Sequence, residues 1–269
     1  MFVPAVTSRK NKAVIDAASL ADKKARDESG LFPAEGLKLL EEVLDTGLAV
    51  ETLFYTESAA ARYASLIERV PEKALMPVTD EVFAKLSTEK APQGLYACVK
   101  KPSVGGLDDL SRDASLGGFV FLDEVQNPAN VGAILRSAYA FGFVRAVFCG
   151  ACADLWSPKT VRAAMGSLFR ERLYEVPRTA EAVSAVKAAG GRVFCTALLP
   201  ESRKLHETAF LPTDSFLVGN EGHGASDGVI RVCGETLYIP MREGAESLNA
   251  SVAAAVVMWE MKKQRGDAR

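Results

Sequence analysis

The feature that most constrains this chain is an alternation, in its C-terminal half, of short apolar runs with segments of helical periodicity. Phe119-Val120-Phe121-Leu122 has no polar position, as a strand covered on both faces requires. Residues 131–141 follow, with Val131, Ile134, Leu135, Ala138 and Phe141 spaced along one helical stripe. Strand-like text returns at residues 146–149, 193–197, 216–219 and 236–239, and helical text at 157–170, at 181–189 and from residue 248. Such alternation predicts an α/β domain, a parallel sheet with helices on both faces.

At 269 residues the chain is longer than one domain of common size needs. Its N-terminal part also alternates, with helices expected over 13–26, 37–44, 59–69 and 81–86 and strands over 31–34, 50–55, 75–77 and 95–99. Between the halves, Lys100-Lys101-Pro102-Ser103-Val104-Gly105-Gly106 lacks hydrophobic periodicity and reads as a linker. The expected organisation is therefore a small α/β domain over 1–100, a linker over 101–116 and a larger α/β domain over 117–269.

Composition narrows the function classes. Hydrophobic content of 48% and charged content of 25% belong to a folded chain. No apolar run reaches about 18 residues, so no membrane span is expected, and the first ten residues lack a secretory core, which predicts a cytoplasmic location. Five cysteines, mostly in apolar text, read as reduced core thiols. Cys149-x-x-Cys152 lacks two further ligands at zinc spacing, so no metal is expected. With only His206 and His223 present, triad chemistry starts poorly. The net charge of −2 does not point to nucleic acid, but the segment from Arg9 to Arg26 sets Arg9, Lys10, Lys12, Lys23, Lys24 and Arg26 against Asp16 and Asp22.

Open parallel sheets bind ligands beyond the carboxyl ends of their strands. Three loops in such positions stand out. The first, Asp123 to Arg136, carries Asn-Pro and then Asn130, expected to cap the following helix, with Gly132 and Arg136 beyond it. The second, Gly219-Asn220-Glu221-Gly222-His223-Gly224, allows close backbone approach to a ligand, and His223 reads as a plain loop residue. The third runs through Ile239-Pro240-Met241 to Ser247-Leu248-Asn249-Ala250-Ser251, where Ser247 or Asn249 can cap the last helix.

Taken in order, these loops resemble the SpoU (TrmH-like) branch of the SPOUT RNA methyltransferases, whose motifs read N-x-G-x-x-x-R, G-x-E-x-x-G, and I-P-M followed by S-L-N-x-S. The resemblance spans 118–261 and includes Ser157-Pro158-Lys159-Thr160-Val161-Arg162-Ala163-Ala164-Met165-Gly166; Asn127 stands where many members carry aspartate. It implies transfer of a methyl group from S-adenosyl-L-methionine to a ribose 2′-hydroxyl of rRNA or tRNA, a deep C-terminal trefoil knot, and a homodimer with the site at the subunit interface. It implies catalytic roles for Asn130, Arg136, Glu221, Ser247 and Asn249. Cofactor contacts would come from Thr196, Ala197, Leu198, Gly219, Asn220, Glu221, Gly222, Ile239, Pro240, Met241, Ser247, Leu248 and Asn249. The N-terminal domain, with Leu31-Phe32-Pro33-Ala34-Glu35-Gly36 and Pro92-Gln93-Gly94-Leu95-Tyr96-Ala97, looks like the family's substrate-binding domain, and its basic start then reads as an RNA contact. Arg136 is taken as a phosphate clamp that polarises the hydroxyl, with the proton acceptor unassigned. Two other readings are an RNA-binding protein that keeps the fold without turnover, and a nucleotide-binding enzyme. The intact motif residues count against the former. Absence of G-x-G-x-x-G and G-x-x-x-x-G-K-[ST] counts against the latter.

Overall fold

The computed structural model describes residues 4–244 and 247–265, which divide into two units: Met1–Pro102 with Asp154–Phe169, and Ser103–Ala153 with Arg170–Arg269. In the first unit, the Asn11 side chain accepts from the Ala13 amide at 2.9 Å and opens α1 (Lys12–Ser19). The single helix expected over 13–26 breaks after Leu20 and resumes as α2 (Lys23–Ser29). Arg26 accounts for the break. Its buried guanidinium donates to the Leu20 and Ala21 carbonyls at 2.6 and 2.8 Å, satisfying groups that a continuous helix would have bonded itself.

Next come β1 (Leu31–Glu35), α3 (Leu37–Asp45), β2 (Val50–Tyr55), α4 (Glu57–Arg62), α5 (Ala64–Ile67), β3 (Leu75–Pro77), α6 (Asp80–Leu86) and β4 (Leu95–Lys100). The helix expected over 59–69 is thus two pieces, interrupted at Tyr63. The strands form one sheet in the order β1-β4-β2-β3, with β4 antiparallel to both neighbours and β2 parallel to β3. Phe54, Tyr96, Val82 and Phe83 pack with Val14 and Ala17 of α1 over it.

The second unit begins inside the stretch expected as a linker, which carries α7 (Leu107–Asp113). The Asp109 carboxylate accepts from the Gly106 amide at 2.9 Å, and Leu110 is fully buried. About two helical turns with one fully buried leucine, Leu110, and a partly buried one, Leu107, leave little periodic signal in the sequence. β5 (Phe119–Asp123), α8 (Pro128–Phe141) and β6 (Arg145–Cys149) follow. Residues 154–169 belong to the first unit, as α9 (Pro158–Ala164) and a 3-10 turn at Ser167–Phe169. The helix expected over 157–170 stops early because Met165 and Gly166 take left-handed φ values of 50° and 90°. Trp156 and Phe169 flank Phe32 at ring distances of 4.9 and 5.5 Å, and Asp154 pairs with Arg26.

The second unit continues with β7 (Arg172–Val176), α10 (Thr179–Ala188), β8 (Val193–Thr196), β9 (Arg203–Lys204), β10 (Ser215–Val218), α11 (Asp227–Cys233), β11 (Glu235–Tyr238) and α12 (Ala250–Arg265). Its seven strands lie in the order β7-β6-β5-β10-β8-β11-β9, every adjacent pair parallel. Phe119, Phe121 and Leu217 join Leu110, Val183, Val186 and Val229 of α7, α10 and α11 in one core. Alternation turns Val120, Leu122 and Phe216 to the opposite face. There Phe143, just after α8, meets Phe216 edge-on at 5.9 Å, and Arg265 of α12 lies over the Phe143 ring at 4.0 Å. Helices therefore cover both faces, as the sequence predicts. The order β5-β10-β8-β11 also sets four strand ends side by side, and the loops leaving them form the site.

Candidate active site

Asn127, not Asn130, caps α8. Its side chain accepts from the Ala129 amide at 2.9 Å, and Pro128 fills the first helical position, where a missing N–H costs nothing. Asn130 is thereby left within the first turn, 6% exposed, with its carboxamide free for other partners. Its Nδ2 donates to Glu221 Oε1 at 2.9 Å, and its Oδ1 accepts from Asn249 Nδ2 at 2.9 Å. Glu221 also accepts from the Gln126 and Asn127 amides at 3.1 and 3.0 Å. One hydrogen-bonded chain thus ties together the loops after β5, β10 and β11. Burial pushes the Glu221 carboxyl up, but the bonds from Asn130 and the backbone amides outweigh it and hold the group below the ordinary glutamate value. Asn249 has a second task. Its Oδ1 accepts from the Ser251 and Val252 amides at 3.0 and 3.3 Å, capping α12.

The loop after β10 is equally constrained. Asn220 donates to the Glu124 carbonyl at 2.9 Å and accepts from the Gly222 amide at 2.8 Å, and Gly224, with φ of 70°, returns its amide to the Asn220 carbonyl. At Gly219 the turn closes so tightly that a Cβ would stand 2.9 Å from the Gly224 carbonyl oxygen and closer still to Gly224 C and Ala225 N. At the end of β8, Thr196 Oγ1 donates to the Leu217 carbonyl at 2.9 Å, and the Ala197 amide donates to Leu237 at 3.0 Å.

These loops enclose a cavity of about 570 Å³. Of the residues singled out in the sequence, Asn130, Thr196, Ala197, Leu198, Gly219, Asn220, Glu221, Gly222, Ile239, Met241, Ser247, Leu248 and Asn249 line it. Pro240 and Arg136 stand outside the lining. Arg136 is exposed on α8 and has no hydrogen-bond or ionic partner among the described residues. Val218, Leu237 and Tyr238 at strand ends, Gly224, Asn127, and Ala250 and Ala253 of α12 also line the cavity without having been singled out for it. The strand-end rule would have found the first three, and the run of small residues opening α12 the last two. Among the described lining residues none is cationic. The walls offer backbone amides and carbonyls at strand ends, with apolar Leu198, Ile239 and Leu248. Such a wall suits a flat heteroaromatic ligand with a hydrogen-bonding edge and a polar tail. No group of His, Cys, Asp and Glu among the described residues is arranged to hold a metal ion.

The SpoU rRNA Methylase family model matches residues 118–259, and the MRM3-like substrate binding domain model matches residues 11–97. The chain is 30% identical over 268 residues to the 23S rRNA (uridine(2479)-2'-O)-methyltransferase of Streptomyces viridochromogenes, covering 97% of this chain and 92% of that protein. It is 30% identical over 259 residues to the 23S rRNA (guanosine(2553)-2'-O)-methyltransferase RlmP of Bacillus subtilis, covering 96% and 98%. The crystal structure of AdoMet-bound rRNA methyltransferase from Sinorhizobium meliloti superposes with a TM-score of 0.84 at 30% identity, covering 97% of each chain. The chain belongs to the SpoU rRNA methylase family and is an RNA methyltransferase that uses S-adenosylmethionine.

Proposed function

We propose that this protein methylates a ribose 2′-hydroxyl of ribosomal RNA and that the cavity beyond β5, β10, β8 and β11 is where the methyl donor sits. The chain Glu221–Asn130–Asn249 carries the reading, because it joins residues of all three motif loops in the wall of one cavity. A volume of about 570 Å³ falls in the range of small-molecule sites. When bound, S-adenosylmethionine supplies a methyl group already made electrophilic by its sulfonium. The protein's work is then alignment of the hydroxyl and care of its proton. Thr196, Ala197, Leu198, Gly219, Asn220, Gly222, Ile239, Pro240, Met241 and Leu248 make up the donor's cradle. Asn130, Glu221, Ser247 and Asn249 keep its three loops in register.

Arg136, exposed and unpaired, binds a phosphate next to the target ribose and polarises the hydroxyl. A guanidinium holds its proton far above neutral pH, so it clamps rather than abstracts. The two curated relatives are named for different bases, uridine and guanosine, which fits a shared site that addresses ribose and phosphate. A cytoplasmic location belongs to the same reading, supported by the likeness to bacterial 23S rRNA methyltransferases.

The proposal includes a homodimer. Val252, Val256 and Trp259 recur on one face of α12 and are 48, 36 and 56% exposed, and Tyr139 of α8 is 44% exposed. Threading of the C-terminal segment into a trefoil knot belongs to the same reading, supported by β8 lying between β10 and β11. Transfer of a tritiated methyl group from S-adenosylmethionine to 23S rRNA tests the function, and no transfer would refute it. Arg136→Ala should keep donor binding by calorimetry yet lose transfer; wild-type turnover would remove Arg136 from the mechanism.

A further inference from the structure

The pairing of charges in the first unit changes where an RNA backbone can be held. Six basic residues lie between Arg9 and Arg26, and four of them face carboxylates within the fold. Lys12 pairs with Asp16 at 2.9 Å, Lys23 with Asp27 at 2.5 Å, Lys24 with Glu28 at 3.8 Å, and buried Arg26 with Asp154. A nearby carboxylate lowers the net local charge that such a cation presents to a phosphate. Arg9 and Lys10 differ, being exposed and without an acidic partner among the described residues.

Both sit in a turn secured at each end. Ahead of it, Val6 bridges Val78, its amide on the Pro77 carbonyl at 2.8 Å and its carbonyl accepting from the Thr79 amide at 3.2 Å. Behind it, the Asn11 amide returns to the Ser8 carbonyl at 3.1 Å. Lys85 of α6 reaches across and donates to the Arg9 carbonyl at 2.8 Å, so a third cation without a carboxylate partner stands against the turn. Asp80 and Glu81 lie at the other end of α6, and Glu81 makes no ion pair with Lys85.

We propose that Arg9, Lys10 and Lys85 form a phosphate-binding patch that grips the backbone of the RNA substrate. The proposal rests on the RNA methyltransferase reading above. Arginine offers a two-pronged donor and lysine a mobile point charge, and neither reads sequence, so the patch positions RNA and leaves base identity to other contacts.

The test compares wild type with Arg9→Gln/Lys10→Gln, with the triple variant adding Lys85→Gln, and with Lys12→Gln/Lys24→Gln as the paired-lysine control. The double variant leaves the Lys85 bond to the Arg9 carbonyl intact, so it separates charge from loss of the turn. Filter binding of in vitro transcribed 23S rRNA should show the log–log salt slope falling by about 2 in the triple variant and scarcely at all in the control. KM for RNA should rise at least about tenfold, with kcat and S-adenosylmethionine affinity unchanged. An unchanged slope in the triple variant, or equal losses in the control, overturns the patch. Lost binding to phosphatidylserine vesicles with RNA affinity intact overturns it too. The binding arm needs no turnover: wild-type protein that holds RNA through these residues but transfers no methyl group overturns the enzymatic reading and leaves the patch standing.

Discussion

Replacing Gly219 with alanine isolates the part of the site that depends on backbone approach alone. The added Cβ meets three backbone atoms of Gly224 and Ala225, all within the 3.0 Å that Cβ atoms essentially never enter, and ordinary contact begins at 3.4 Å. Backbone cannot swing aside as a side chain would, so the 220–224 turn must move by on the order of 1 Å. Overpacking of this kind costs about 1–3 kcal/mol and lowers the midpoint of a unit this size by about 2–4 °C per kcal/mol. The larger effect falls on binding. The displaced turn carries Asn220, Glu221 and Gly222, all in the cavity wall, and misplacement by about 1 Å costs on the order of a hundredfold in function. Calorimetric titration of S-adenosylmethionine should therefore show at least a tenfold loss of affinity in a protein that still melts cooperatively. Gly228→Ala is the control, since its Cβ would meet only Ser226 Oγ, at 3.8 Å. Affinity within threefold of wild type for Gly219→Ala would refute the close-approach argument.

Glu221→Gln should lower the melting midpoint at neutral pH, because an amide presents one acceptor where the carboxylate bonds Gln126, Asn127 and Asn130. With the folded carboxyl below its ordinary value, that advantage is fully present above the unfolded pKa and fades as pH falls through the folded one. A wild-type-minus-variant difference that grew on acidification would contradict the assignment. If the proposed dimer forms through the α12 face, Trp259→Glu should weaken it by about 30-fold or more, as loss of an interface tryptophan costs at least about 2 kcal/mol, read by sedimentation equilibrium; an unchanged association constant would exclude the α12 face. Burial pushes the half-buried Cys152 thiol up to about 11, so its alkylation by iodoacetamide at pH 8 should run about a hundredfold slower than that of a free thiol and quicken as pH rises towards 11. Rapid labelling of the native protein at pH 8 would refute that burial.

How much of the fold shows in the sequence depends on how long each element's signal runs. β5 and α8 carry enough consecutive apolar or periodic positions to be read directly, and so do the strands of both units that lie inside their sheets. α7 offers only Leu107 and Leu110, and β9 is two residues long. β7 lies at the sheet edge, where exposed Arg172 and Glu175 break the apolar run that marks an inner strand. α11 was legible in retrospect. Ser226 caps it, accepting from the Val229 amide, and Gly234 ends it in the left-handed region. The break between α1 and α2 was not, because Arg26 finds its carbonyl partners only once the turn exists.

For the site, type and order of residues were legible and convergence was not. Glu221 and Asn130 are 91 positions apart and Asn249 is 119 from Asn130, so their meeting depends on β10 inserting between β5 and β8, a strand order no local pattern encodes. The family motifs stood in for that missing information. Local capping preference misdirected one detail. Asn130 read as a helix cap, although Asn127-Pro128 already contains a capping residue followed by the proline that favours the first helical position. The consequence reaches the chemistry. A cap commits its side-chain oxygen to its own helix, as Asn249 Oδ1 does on α12; with Asn127 capping α8, Asn130 has both its oxygen and its nitrogen for Asn249 and Glu221. An Asn127→Ala variant should then damage the cap while Asn130→Ala damages the cavity. The first should lower stability by about 1 kcal/mol, and the second should weaken donor binding more than the first does and beyond what its own melting shift explains. Equal effects on both readouts would mean that the two asparagines share one structural role and that the division of labour drawn from their bonds is wrong.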